Sequence, residues 1–185
     1  MSLRIALGLS GALLLAGCAT ASRAPSIGET GERPLVSPAA AGDRAVSQVV
    51  RGAVGAREIT ISCVVSVKGN EMSVVGLNAM GVRLFTLRYD GQSVTAEKSP
   101  GVPDQLQPER LIADLQFVFW PLESLQRPLK DAGYAVSETA PGTRRLRRGD
   151  RLIAEAHYSG ADPWSGRTWL VNLEHGYSLQ IEAAE

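Results

Sequence analysis

The stretch EITISCVVSV, Glu58 to Val67, constrains the fold most: Ile59, Ile61, Cys63, Val65 and Val67 alternate with Thr60, Ser62 and Ser66. Such a period of two belongs to a strand with one face on a core, because a helix would scatter those apolar side chains around its axis. The alternation recurs over Met72 to Leu77, Val82 to Tyr89, Arg151 to Tyr158, Thr168 to Leu173 and Tyr177 to Ala183. Weaker strands are predicted near Ala45 to Val50, Gln92 to Lys98, Tyr134 to Glu138 and Arg144 to Arg148. Between the runs stand Gly69-Asn70, Asp90-Gly91, Pro141-Gly142, Gly149-Asp150 and His175-Gly176. Dipeptides of this kind mark hairpin turns, and Asp-Gly suits a type I′ turn with positive φ at both residues. The pattern predicts an antiparallel meander.

One segment breaks the rhythm. PERLIADLQFVFWPLESLQRPLKDAG, Pro108 to Gly133, has helical spacing, with Pro108 suited to the first helical position and Glu109 to the positive end of the helix dipole. Pro121 disfavours helical geometry at Trp120, so a kink or a second helix is expected there. Leu111, Ile112, Leu115, Val118 and Phe119 fall on one stripe, and Ala113, Phe117 and Trp120 on another. A helix apolar on two sides needs two apolar surroundings. Either Trp120 folds down onto a neighbouring element, or one stripe packs on the sheet while the other lines a cavity or meets a guest.

At the start of the chain, Arg4 precedes an apolar run from Ile5 to Ala16, too short for the roughly 20 residues that span a bilayer. This reads as a secretory signal peptide over residues 1–17. Its end, Leu15-Ala16-Gly17-Cys18, resembles the lipobox of bacterial lipoproteins, which implies lipid attachment at Cys18. Ala19, where inner-membrane retention favours Asp, implies an outer-membrane, periplasm-facing location. Multiple acyl chains would anchor the protein firmly, where one chain gives only marginal binding. Residues 18–43 are small and rich in Pro and Gly, as in a flexible tether, and residues 44–185 suit a single domain.

Loss of Arg4 with the signal peptide leaves 18 of the 19 basic residues against 19 acidic ones, so nothing points to nucleic acid. With Cys18 lipidated, Cys63 is the one remaining thiol and no intrachain disulfide can form; a lone Cys in an apolar strand reads as a small buried hydrophobe. The histidines, His157 and His175, stand in neither HExxH spacing nor a Gly-x-Ser-x-Gly elbow, and the carboxylates show no metal-ligand spacing. The expectation is a non-enzyme without cofactor or metal, and a monomer. The basic run RRLRRGDR, Arg144 to Arg151, is read as a solvated edge that discourages strand pairing, or else as an attraction for acidic headgroups.

The stretches VVGLNAMGVRLFTLRYDG, LIADLQFVFWPLESL and GYSLQIE resemble an uncharacterised family of proteobacterial lipoproteins, some encoded beside aryl-polyene biosynthesis genes. The order of elements, with LNAMG before a strand and PLESL after the first helix, also resembles the lipoprotein-localisation proteins LolA and LolB. That resemblance implies an incomplete, curved antiparallel barrel with a helical lid over an apolar cavity. In the LolB pattern the turn equivalent to Asn78 to Gly81 carries a protruding leucine used in membrane insertion and delivery, and Met80 falls at that place. Met80 is then either an exposed probe for a bilayer or a lipid-bearing partner, or a side chain folded back over its hairpin. Cavity walls are expected from Ile61, Cys63, Val65, Leu84 and Trp169 on the sheet and from Leu111, Leu115, Val118 and Phe119 on the lid. The same residues would equally make a dry, filled core. The resemblance implies binding or transfer of a hydrophobic ligand such as an acyl chain, a lipoprotein or a polyene lipid. The alternative is a non-catalytic scaffold of an envelope complex, with Trp120, Phe117 or Trp164 as exposed anchors.

Overall fold

A computed structural model of the chain describes residues 33–54, 57–100, 102 and 107–184. The expected strands all form: β1 (Arg44–Val54), β2 (Arg57–Lys68), β3 (Glu71–Leu77), β4 (Arg83–Tyr89), β5 (Val94–Lys98), β6 (Tyr134–Ala140), β7 (Thr143–Arg148), β8 (Arg151–Tyr158), β9 (Arg167–Asn172) and β10 (Tyr177–Ala183). They make one sheet in the order β5-β4-β3-β2-β1-β10-β9-β8-β7-β6. Every pairing is antiparallel. Each half is a meander, and β1 against β10 joins the halves at the centre, so β5 and β6 are the edges of an open sheet.

The helical segment breaks where Pro121 requires. Helix α1 (Pro108–Phe119) ends at Trp120, whose ψ of 149° is extended, and α2 (Leu122–Asp131) follows. Helix α1 lies against β5 and α2 against β6, so the helices stand where the sheet fails to close. Contacts from α1 reach β7, β8, β9 and β10 as well: Arg144, Tyr158, Asn172 and Tyr177 all bond to it. The sheet therefore wraps around α1.

Register decides which side chains face that helix. Cys63 pairs with Gly76 and Gln48, and Val65 with Val74 and Val46. Gly76, Val74 and Met72 in turn pair with Phe85, Leu87 and Tyr89. These residues form the inner face of one half; Leu179, Ile181, Thr168, Leu170, Asn172, Ala154, Ala156 and Leu146 form it in the other. The Phe85 ring lies over Gly76 so closely that a Cβ there would come within 2.4 Å of it, which is why the strand has glycine at that point.

In an antiparallel meander alternate turns share an end. Asn78 to Val82, Gly149-Asp150 and Leu173 to Gly176 lie at one end, here the Met80 end, and Gly69-Asn70, Asp90 to Ser93 and the β8–β9 loop lie at the other. The Asp90-Gly91 turn departs from the type I′ expectation. Among the described residues no non-glycine has positive φ, and Gly91 alone takes it here, at 88°. The Asp90 carboxylate instead accepts hydrogen bonds from the backbone of Ser93 and Gln92, and those bonds hold its pKa below the usual carboxylate range.

Residues 33–43, read from sequence as tether, pack on the domain. Val36, Pro38 and Ala41 are buried, and Pro38–Ala41 forms a short 3₁₀ turn that leads into β1.

Candidate functional site

The turn at Met80 explains its odd residue. The Asn78 side-chain oxygen accepts from the backbone N–H groups of Met80 and Val82, each at 2.9 Å, while the Gly81 N–H bonds to the Asn78 carbonyl. Gly81 takes φ of 76°, which a β-branched or bulky residue resists. Asn78 and Gly81 thus meet the backbone requirements, and the Met80 side chain serves none of them. It is 83% exposed, beside Val82 at 56%, so it does not fold back over its hairpin.

The interior behind this turn has two different ends. At the far end it is closed: Phe119 stacks on Trp164 at 4.3 Å between centroids, Trp120 lies 6.0 Å from the same ring, and the Arg44 guanidinium sits 4.6 Å above it. Val65, Leu87, Ile112, Val118, Trp120 and Leu146 are fully enclosed. Towards the Met80 end the inner face is looser, because Val50, Ile61 and Leu179 on the sheet and Leu111 and Leu115 on α1 are half-buried against the same core. The side chains of Leu179 and Ile59 lie over Gly52 there, where a Cβ would approach within 2.8 and 3.2 Å.

The expected cavity walls thus divide. Cys63, Val65, Val118 and Phe119 are packed core, and Ile61, Leu84, Leu111 and Leu115 are half-buried around it. Trp169 does not belong to the interior. It sits on β9 out of phase with Thr168, Leu170 and Asn172, is 40% exposed, and carries the Arg167 guanidinium 5.5 Å above its ring. Among the described residues the other expected walls pack against one another, the first four fully and the last four in part. A recess of about 430 Å³ lies along β2 to β5, where Lys68, Glu71, Arg88 and Asp90 line it together with Met72 and Tyr89. A void of about 10 Å³ lies between the two helices and the Arg33-Pro34 segment.

The second apolar side of α1 is covered by the chain itself. Arg33, Pro34, Leu125 and Leu129 border Ala113, Gln116 and Phe117 around that small void. Trp120, Phe117 and Trp164 are 0%, 2% and 8% exposed, so none is the exposed anchor that a scaffold reading expects. Trp169 and Leu173, at 40% and 51%, are the candidates for that purpose.

Two buried polar clusters hold α1, and sequence reading missed both. Asp114 is 2% exposed, and its carboxylate takes the Arg33 guanidinium, the Tyr177 hydroxyl and the Asn172 amide. Burial, reinforced by that carboxylate, pushes the Tyr177 hydroxyl far up from its usual acidity range. Arg144 is 4% exposed and faces inward: it donates to the carbonyls of Phe117 at 2.8 Å and Trp120 at 2.7 Å, satisfying the end of α1, and pairs with Glu138. The expected solvated edge is therefore corrected. Strand β7 lies inside the sheet beside the edge strand β6, and its first arginine is a buried helix cap. The phase of Leu146, two residues on and inward, is the signal that would have revealed it.

Remaining chemistry is sparse. His157 bonds to Glu155 at 2.7 Å and approaches the Thr143 hydroxyl, while burial lowers the basicity of His175. Burial pushes the Cys63 thiol up to about 11. Cys63 in the native protein is expected to resist alkylation by iodoacetamide at about pH 8, because almost none is thiolate, and to react fully once denatured. Labelling of the native protein at the denatured rate, read by mass spectrometry, would contradict that.

Residues 45–185 match the model of a protein family of unknown function, DUF3261. The chain belongs to that family. The DUF3261 match begins at β1 and takes in the whole sheet, both helices and the Met80 turn. No curated protein matches the chain.

Proposed function

We propose that this DUF3261 chain is an outer-membrane lipoprotein, held through acylated Cys18 and facing the periplasm. It would bind or transfer a hydrophobic ligand, such as an acyl chain or polyene lipid, without making or breaking bonds. A LolA/LolB-like half-barrel with a helical lid is the corresponding fold reading, supported by the open sheet wrapped around α1. In this reading the ligand takes the place of α1 side chains that pack on the sheet, such as Leu111 and Leu115. The half-buried seam of Val50, Ile61, Leu179, Leu111 and Leu115 is where this exchange begins.

The observation that carries the reading is Met80, a large apolar side chain 83% exposed on a turn it does not stabilise, at the same end as that seam. Full burial of a Met side chain contributes about 1.5 to 3 kcal/mol, too little to anchor a lipidated protein but enough to position its mouth on a bilayer or a lipid-bearing partner. Met80→Asp is expected to slow transfer of a fluorescent fatty acid between vesicles by about tenfold or more, with an unchanged denaturation midpoint. Transfer at the unaltered rate would remove Met80 from the mechanism. The interaction-subunit alternative rests on Trp169, exposed on the outer face with no packing role toward the core.

A further inference from the structure

Helix α1 is fastened along its length by the segment that precedes β1. The Gln116 side chain reads both backbone groups of Val36, accepting from its N–H at 2.8 Å and donating to its carbonyl at 2.6 Å, as a neighbouring strand would. The Trp120 indole N–H donates to the Ser37 carbonyl at 3.1 Å. Arg33 pairs with Asp114, and Val36 is buried against the core. The segment runs from Asn172 and Tyr177 at the Met80 end to Asn70, bonded to Ser37 at 2.5 Å, at the far end. It crosses α1 as a strap.

We infer that Arg33 to Ser37 form a latch: α1 lifts from the sheet only after this strap has been peeled from Asp114, Gln116 and Trp120. The reason is geometric. Val36 and Ser37 are tied to the side chains of Gln116 on α1 and of Trp120 at its end, and Ser37 and Asp43 are tied to Asn70 and Gly69 in the turn between β2 and β3, so the helix cannot move outward while both sets of bonds hold. Arg33 is the described residue nearest in sequence to Cys18. Tension from a lipid-anchored tether therefore loads the Arg33–Asp114 pair first, then Gln116, then Trp120, which breaks the bonds in sequence rather than together. Distance from the membrane is thereby coupled to opening of the helix. The inference rests on the proposed lipid anchor at Cys18 for that tension, and on the ligand reading for what the opening admits.

Hydrogen exchange of the mature chain tests the latch. Gln116→Leu removes both bonds to Val36 while keeping a side chain of similar size, and α1 amides are expected to exchange about tenfold faster, with β2 and β8 amides unchanged. Trp120→Phe, which removes the donor to Ser37 and part of a buried ring, is expected to move α1 in the same direction. Unchanged α1 exchange in both variants overturns the latch, as does equal acceleration of helix and sheet, which would make the strap ordinary core. Uptake of cis-parinaric acid separates this from the ligand reading: faster α1 exchange with no uptake keeps the latch and removes the carrier.

Discussion

Arg144→Met is expected to lower the free energy of unfolding by about 2 to 4 kcal/mol, because it strips two carbonyls at the buried end of α1 of their donor. The guanidinium reaches the carbonyls of Phe117 and Trp120, and its central carbon lies 5.6 Å from the centroid of the Tyr158 ring, whose hydroxyl bonds to the Val118 carbonyl. One side chain therefore joins β7 and β8 to the point where the two helices meet. Chemical denaturation followed by tryptophan fluorescence measures the loss. Arg144→Lys is expected to recover only part of it, since one ammonium cannot reproduce the fork that serves two carbonyls and a carboxylate. Stability unchanged in Arg144→Met would mean that the end of α1 finds other donors.

The second large effect is at Asp114. Asp114→Leu leaves the Arg33 guanidinium buried without a counter-charge, its side chain only 6% exposed, and takes the acceptor from Tyr177 and Asn172. Breaking one member of such a pair costs about 3 to 5 kcal/mol, whereas replacing both members by apolar groups is often near neutral. The double variant Arg33→Met, Asp114→Leu is therefore expected to be more stable than Asp114→Leu alone. A double-mutant cycle with purely additive losses would show that the two groups do not act as a pair.

These two clusters also mark where sequence reading stops. The strands were legible because alternation is a local property: Ile59 to Val67 and Tyr177 to Ala183 could take no other periodic form. Pro121 fixed the division between α1 and α2 in the same local way. Phase was harder where both parities carry apolar side chains. On β9 Thr168, Leu170 and Asn172 face in while Trp169 and Val171 face out, and a large aromatic misleadingly suggests the interior. Five arginines in RRLRRGDR look alike as letters, and only the register of Leu146 separates Arg144 from its solvated neighbours. The two apolar stripes of α1 were legible too, but not their cover. Half of it comes from Pro34 and Val36, in a Pro-rich and Ala-rich stretch with no period to betray it, and half from α2.

Met80 shows the opposite case. A turn tip that lacks a backbone reason for its residue can be recognised from composition alone, and the fold places that residue in the open with Asn78 and Gly81 doing the conformational work. Under the proposed function, ligand and α1 would compete for one space, and opening of the helix rather than cavity volume would set affinity.

The most direct measurement is mass spectrometry of an organic extract of the mature chain, secreted to the periplasm with Cys18→Ala so that no acyl group is covalently attached. Retention of a lipid, removed when α1 side chains such as Leu115 are enlarged toward the sheet, is the expected result. An extract free of lipid, from protein that also takes up no parinaric acid after its latch is released by Gln116→Leu, would contradict hydrophobic ligand binding altogether.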